Sequence, residues 1–199
     1  VMKVSDFVIE YFERNKVDTC FTISGGGCIH LIDSLRKSKI QTVCPHHEQT
    51  ALMASEGYYR QSGKMSLNVV TTGPGGTNTL TGLLGLWLDS IPSVIVSGQV
   101  PLSQISRGTG CRQIGDQEFD IVGCVKNMTK YSVMIEHPQE IIHEVKKAHA
   151  IAMSGRPGPT WIDIPLDIQG ADIKVSEGSF EPYNKLNKKV KDYSSLEEL

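Results

Sequence analysis

The sequence predicts an α/β domain, a parallel β-sheet with helices on both faces. Three observations lead there. Segments with a helical hydrophobic period alternate with short β-rich runs. Several of those runs are apolar at nearly every position, as strands covered on both sides are. The runs end in glycine-rich or polar turns of the kind that connect a strand to a helix. At 199 residues the chain is long enough for one well-buried domain and short for two.

Ser5 to Asn15 carries Phe7, Val8, Tyr11 and Phe12 at helical spacing, with Ser5 and Asp6 as N-terminal capping candidates. Thr19-Cys20-Phe21-Thr22-Ile23 is a short strand stopped by Gly25-Gly26-Gly27, after which Ile29 to Lys37 reads as a second helix. Gln41 to Cys44 is a strand, and Gln49 to Gln61 a helix that ends at Gly63. Leu67 to Thr72 is a strand and Thr77 to Leu88 the helix after its glycine turn; Ser93 to Ser97 is a strand closed by Gly98. Pro138 to Met153 makes a long amphipathic helix with proline in its first turn. Gly155-Arg156-Pro157-Gly158-Pro159 breaks it, and Thr160 to Ile164 returns as a strand. These elements place a domain over residues 1–170. From about Gly170 the composition turns polar, and residues 171–199 read as a linker toward a further domain, with Lys185 to Lys191 balanced by Asp192, Glu197 and Glu198.

A formal charge of −2 gives no reason to expect nucleic acid or an anionic membrane surface as partner. No apolar run approaches the length of a membrane span, and the N-terminus lacks a signal-peptide pattern. Cys20, Cys28, Cys44, Cys111 and Cys124 form no C-x-x-C pair and leave one over, so reduced, mostly buried thiols in a cytoplasmic protein are expected.

In parallel sheets ligands sit outside the carboxyl ends of the strands. That rule puts Gly25–Gly27, His46–Glu48, Gly73–Asn78 and the segment after Gly98 along one edge. Glu48 is either a carboxylate favoured by the dipole of a helix's first turn or a proton-handling group at that edge. Adjacent His46 and His47 are a poor metal signature without a third ligand. Gly73-Pro74-Gly75-Gly76-Thr77-Asn78 has asparagine where a dinucleotide turn has its third glycine, so it is either an anion-binding turn or simply a tight one. Arg107 to Glu118 is long for a strand-to-helix connection. A bare turn beside one carboxylate suits a flat heteroaromatic ligand, whose face needs close approach and whose ring nitrogen needs a partner.

His47-Glu48-Gln49, Ala54-Ser55-Glu56-Gly57-Tyr58, Thr72-Gly73-Pro74-Gly75, Asn78, Leu88-Asp89-Ser90-Ile91-Pro92, Gly98-Gln99-Val100-Pro101 and Gly155-Arg156-Pro157-Gly158-Pro159 stand in one order. In that order they resemble the pyrimidine-binding domain of thiamine diphosphate enzymes, in the acetolactate synthase-like branch. The resemblance covers about residues 3 to 170. It implies that Glu48 shares a proton with the cofactor's pyrimidine ring nitrogen and so activates it for attack on a 2-keto acid, followed by decarboxylation and carboligation. It also implies that Gly25 and Gly26 lie beside the reacting centre, that Gly73, Pro74 and Asn78 line the pyrimidine pocket, and that Gln117 reaches the site.

Two departures matter. Acetolactate synthases usually carry phenylalanine where this chain has Asp116 and lysine where it has Leu166. An acidic group in place of an aromatic one disfavours an anionic keto acid, and relatives with such changes resemble enzymes of sugar or surface-polysaccharide pathways. The family's Gly-Asp-Gly and Asn-Asn motif, which holds the diphosphate through magnesium, does not occur in these residues. The resemblance therefore implies the pyrimidine half of a site completed by another subunit, in a homodimer or tetramer. A flavin is neither implied nor excluded, because the family's flavin contacts lie largely in a domain not included here. The linker-like tail favours the N-terminal part of a longer protein over a separate small subunit. The rival from another class is a non-catalytic α/β binding or regulatory module; retention of Glu48 argues against it.

Overall fold

A computed structural model describes residues 1–183; the lysine-rich stretch from Lys185 lies outside the described residues. The elements in chain order are β1 (Met2–Lys3), α1 (Val4–Arg14), β2 (Thr19–Thr22), α2 (Ile29–Lys37), β3 (Gln41–Val43), α3 (Glu48–Ser62), β4 (Ser66–Val70), α4 (Pro74–Thr77), α5 (Leu80–Leu88) and β5 (Ser93–Gln99). Then follow α6 (Ile121–Val125), β6 (Tyr131–Met134), α7 (Ile141–Met153), β7 (Pro159–Pro165), α8 (Leu166–Gly170) and β8 (Asp172–Ile173). Six of the strands form one sheet in the order β3-β2-β4-β5-β7-β6, and every neighbouring pair is parallel.

Alternation along the strands sorts the core into two layers. Leu67 and Val69 of β4, Val94 and Val96 of β5, and Ile162 and Ile164 of β7 pack with Phe7, Tyr11 and Phe12 of α1, Leu31 and Leu35 of α2, and Val145 and Ala148 of α7. Val70, Ile95 and Trp161 point the other way, toward Ala51 and Leu52 of α3, Leu83 and Leu86 of α5, and Ile121 and Val125 of α6. Helices thus cover both faces, as the strand composition predicts. Asn68 also points to the second face, and its amide is satisfied by Ser55 of α3 (2.8 Å) and Ser93 of β5 (2.8 Å).

Several boundaries differ from the sequence reading for local reasons. Ser5 and Asp6 do not cap α1. Lys3 holds the cap position without a side-chain bond, while Ser5 and Asp6 accept from the Ser34 hydroxyl at 3.1 and 2.6 Å and so staple α2 to α1. Thr71 and Thr72 leave β4 for the turn after it, and the expected helix from Thr77 divides into α4 and α5. The edge strand β6, half-buried at all four positions, has no clear alternation to announce it. The stretch after Gly170 does not leave the domain at once. β8 pairs antiparallel with β1, and Phe180 is buried with its ring 5.2 Å from that of Phe7. Nor are the thiols mostly buried: Cys20 and Cys28 are, but Cys44 and Cys111 are exposed and Cys124 lies between. No helix among the described residues is long and apolar enough to cross a membrane.

The topology creates a crevice. From β2 the chain moves outward through α2 on one face, whereas from β4 it moves through α4 and α5 on the other. The two connections part at the carboxyl ends of adjacent strands, the switch point at which open α/β sheets bind ligands.

One charged group lies within the sheet. Asp163 of β7 is 1% exposed and accepts from Ser97 Oγ at 2.6 Å and from Gln99 Nε2 at 3.0 Å. Burial pushes its pKa up from the ordinary 3.8 to about 7, against the effect of those two donors.

Two predictions follow from this packing. Phe180→Ala is expected to cost about 3 kcal/mol by removing a buried ring, read as a lower urea midpoint. An unchanged midpoint would show residues 171–180 to be outside the cooperative unit. The second concerns pH. Between about pH 4 and 7 the folded chain keeps a proton on Asp163 that the unfolded chain has released, so stability from this group falls as pH rises. His149, whose pKa burial lowers to about 4, acts in the opposite sense up to its ordinary 6.5. Asp163→Asn removes only the first effect. Relative to its parent it should gain on the order of 2 kcal/mol between about pH 5 and 8; a pH-independent difference in urea midpoints would contradict the assignment.

Candidate active site

The Gly25–Gly27 turn after β2 lies against Thr71, the first residue past β4. A Cβ on Gly25 would stand 2.5 Å from the Thr71 Cβ, and one on Gly75 2.5 Å from the Thr71 Cγ2. Real Cβ contacts do not come that close, so a single threonine side chain is what demands glycine at both positions. The Gly27 amide donates to Thr71 Oγ1 at 3.1 Å, which fixes the first turn against the second. Gly26 is exposed, with no atom within 4 Å of where its Cβ would be. Behind the turn, a Cβ on Gly98 would collide with the Gly27 carbonyl, and the buried Gln169 amide donates to that carbonyl at 2.7 Å.

Glu48 is the first residue of α3, on the same edge. Its half-buried side chain accepts a hydrogen bond from Asn78 Nδ2 at 3.0 Å. Its other oxygen faces Gly75, 3.7 Å from where a Cβ would be. Glu48 thus stands both in a helix's first turn and on the sheet's ligand edge, the two placements its sequence position offered. His47 has a structural role: its Nδ1 accepts from the Gln49 amide at 3.2 Å and caps α3. His46 is exposed, and among the described residues no three metal-ligating side chains gather.

Gln117 enters from the long loop after β5. Its backbone is left-handed, with φ +59°, and its carbonyl lies against Gly73, where any Cβ would collide with it. Gly73 is itself left-handed at φ +57°, so glycine is required there twice over. Glu118 holds the loop's shape. Burial opposes its charged form, but the Ser106 and Ile114 amides outweigh that and keep its carboxyl below the usual range. Gly25, Gly26 and Gln117 then line a cleft of about 320 Å³ together with Asp116, Leu166 and Gln104.

The structure therefore brings the sequence-predicted residues into two adjoining groups. Gly25, Gly26 and Gln117 form the cleft, and Glu48, Asn78 and Gly75 stand beside it, with Thr71 in contact with both. Gly73 joins Gln117 to the turn, and Pro74 starts α4, exposed on the rim. Sequence reasoning missed Thr71 as the wedge, and it missed Gln99 as a buried support. Gln99 accepts from the Thr72 hydroxyl at 2.8 Å. A buried glutamine in an apolar strand was the available signal, since such an amide must find partners.

Comparison with known proteins agrees with this geometry. The family described as thiamine pyrophosphate enzyme, N-terminal TPP binding domain, matches residues 2–123. The chain is 40% identical over 168 residues to the chloroplastic acetolactate synthase of Arabidopsis thaliana, covering 84% of this chain and 24% of that protein. It is 39% identical over 181 residues to the mitochondrial acetolactate synthase catalytic subunit of Saccharomyces cerevisiae (89% and 26%). To the large subunit of Escherichia coli acetolactate synthase isozyme 2 it is 36% identical over 182 residues (92% and 31%). The chain thus spans 24% to 31% of the length of these relatives. With a family match over more than half its residues, this chain belongs to the thiamine pyrophosphate enzymes and is an N-terminal TPP-binding domain of that family.

Proposed function

We propose that this chain is the pyrimidine-binding part of a thiamine diphosphate-dependent enzyme that decarboxylates a 2-keto acid and joins the remaining fragment to an acceptor, like an acetolactate synthase. One observation carries the reading. Glu48, held by Asn78, stands beside a wall made of glycines at the switch point of the sheet. The residues fit a flat aminopyrimidine. Gly25, Gly26 and Gly73 leave the backbone bare for close approach, with Pro74 on the rim, and a carboxylate is available for a ring nitrogen. When bound, the cofactor supplies the carbon nucleophile and the electron sink. Glu48 holds and returns a proton at the ring nitrogen, Asn78 orients that carboxylate, and Gln117 presents its amide to the cleft.

The remaining parts of the reading follow from the family. Residues 1–170 form the binding domain and 171–199 lead toward a further domain, with residues up to Phe180 packed on the first. The diphosphate, held through magnesium, belongs to residues outside this chain, contributed by a second copy in a homodimer or tetramer. Free cysteines, two of them exposed, suit a cytoplasmic protein. A second reading is favoured by Asp116 and Leu166, which both line the cleft. A carboxylate there suits a neutral, hydroxyl-rich substrate derived from a sugar better than a small keto acid.

Two experiments on the full-length protein test these readings. Glu48→Gln is expected to lower turnover by about 10²- to 10⁴-fold while leaving the melting temperature unchanged; unchanged turnover would remove Glu48 from the chemistry. Supplied with thiamine diphosphate, magnesium and pyruvate, the parent enzyme is expected to form acetolactate. Folded, cofactor-loaded protein that forms none would reject the first reading in favour of the second.

A further inference from the structure

Gln117 holds a backbone conformation that costs a non-glycine residue roughly 1–2 kcal/mol, so something must hold it there. The single proton of the Thr72 hydroxyl goes to Gln99 Oε1 at 2.8 Å, and the Gln117 carbonyl lies against the same hydroxyl at 3.3 Å as its second, longer acceptor. The Gln99 amide has only one workable orientation. Oε1 also accepts from the Val100 amide at 3.0 Å, while Nε2 donates to the Phe119 carbonyl at 2.9 Å and to Asp163 at 3.0 Å. A flipped amide would set nitrogen against the Val100 N–H and oxygen against the Phe119 carbonyl. On the far side Asp163 is held by Ser97, whose oxygen accepts from Trp161 Nε1 at 2.7 Å, so the serine proton is directed at the carboxylate.

We propose that Asp163 is a positioning residue for the cofactor cleft: through Gln99 and Thr72 it locks the left-handed turn that presents the Gln117 side chain. The proposal rests on the reading of that cleft as the cofactor site. Asp163, Gln99 and Thr72 are 1%, 3% and 7% exposed, so little of any of them is open to bulk solvent. Asp163 does not reach the cleft itself. It opens instead on a neighbouring cavity of about 600 Å³, where Arg107, Arg112, Glu118 and Asp120 face it from the loop and Met134 from β6.

The test is thiamine diphosphate binding by the full-length protein with magnesium, measured by calorimetry. Asp163→Asn puts an amide donor against Gln99 or leaves the Ser97 proton without an acceptor. Thr72→Val cuts the line at its other end without touching the buried carboxylate, and serves if the first variant fails to fold. Each is expected to weaken binding about tenfold, as is Gln117→Ala. In the Gln117→Ala background neither should weaken it further, because the side chain being positioned is gone. Losses that multiply in the double variants would reduce Asp163 and Thr72 to general structural support and overturn the proposal. So would unchanged binding in both single variants while Gln117→Ala weakens it. A parent protein that binds no thiamine diphosphate, or a Gln117→Ala variant that binds as tightly as the parent, would overturn the reading of the cleft and this proposal with it.

Discussion

The close approach of two backbone turns around Thr71 is the constraint on which the rest of the site depends. The connections after β2 and β4 part to opposite faces of the sheet, which opens a crevice, and Thr71 fills its base. Because that side chain leaves no room for a Cβ on Gly25 or Gly75, the walls above it are bare backbone. A wall without side chains does two things. It lets a flat ring approach the peptide planes closely, and it leaves Glu48, rather than a neighbour, as the group that meets the ring. A larger residue at any of these glycines would push the turns apart. The packing of the sheet is therefore also what sets the distance between the cleft and the carboxylate.

Glu48 within this chain is half-buried, and that bears on its chemistry. A carboxylate in contact with water gains little from sharing a proton with a ring nitrogen, because solvent screens the interaction; the same contact in a drier site is several times stronger. The bond from Asn78 orients the carboxylate but does not dry it. Under the proposed reading, water exclusion would have to come from a surface that closes over the edge.

How far the sequence could be read followed the physics of each element. Strands β4, β5 and β7 are buried on both faces, so their near-continuous apolar runs were unmistakable. The edge strand β6 is half-buried throughout and has no such run, so nothing marked it. Glu48 and the glycine turns stood out by their place at the strand ends, but residue type alone left each with two readings, and the resemblance decided between them. Gln117 was reached through family resemblance alone. The contacts that hold it were not legible: Thr72, Gln99 and Asp163 lie 27 and 64 residues apart along the chain and meet only because β4, β5 and β7 are neighbours. Tail residues such as Phe180 were hidden for the opposite reason, since one aromatic residue in a polar stretch does not reveal that it packs on Phe7.

The charge on Asp116 bears most directly on what the complete enzyme would accept. Asp116 and Leu166 line the same cleft as Gly26 and Gln117, so on the proposed reading of that cleft a substrate meets both. A carboxylate held about 6 Å from a keto acid's own carboxylate raises its energy by about 1–3 kcal/mol, for effective dielectrics between those of water and a protein surface. That is roughly a fivefold to 150-fold penalty in affinity. Leucine at position 166 supplies no cation to offset it. A hydroxyl-rich neutral substrate incurs no such penalty and offers donors that a carboxylate accepts.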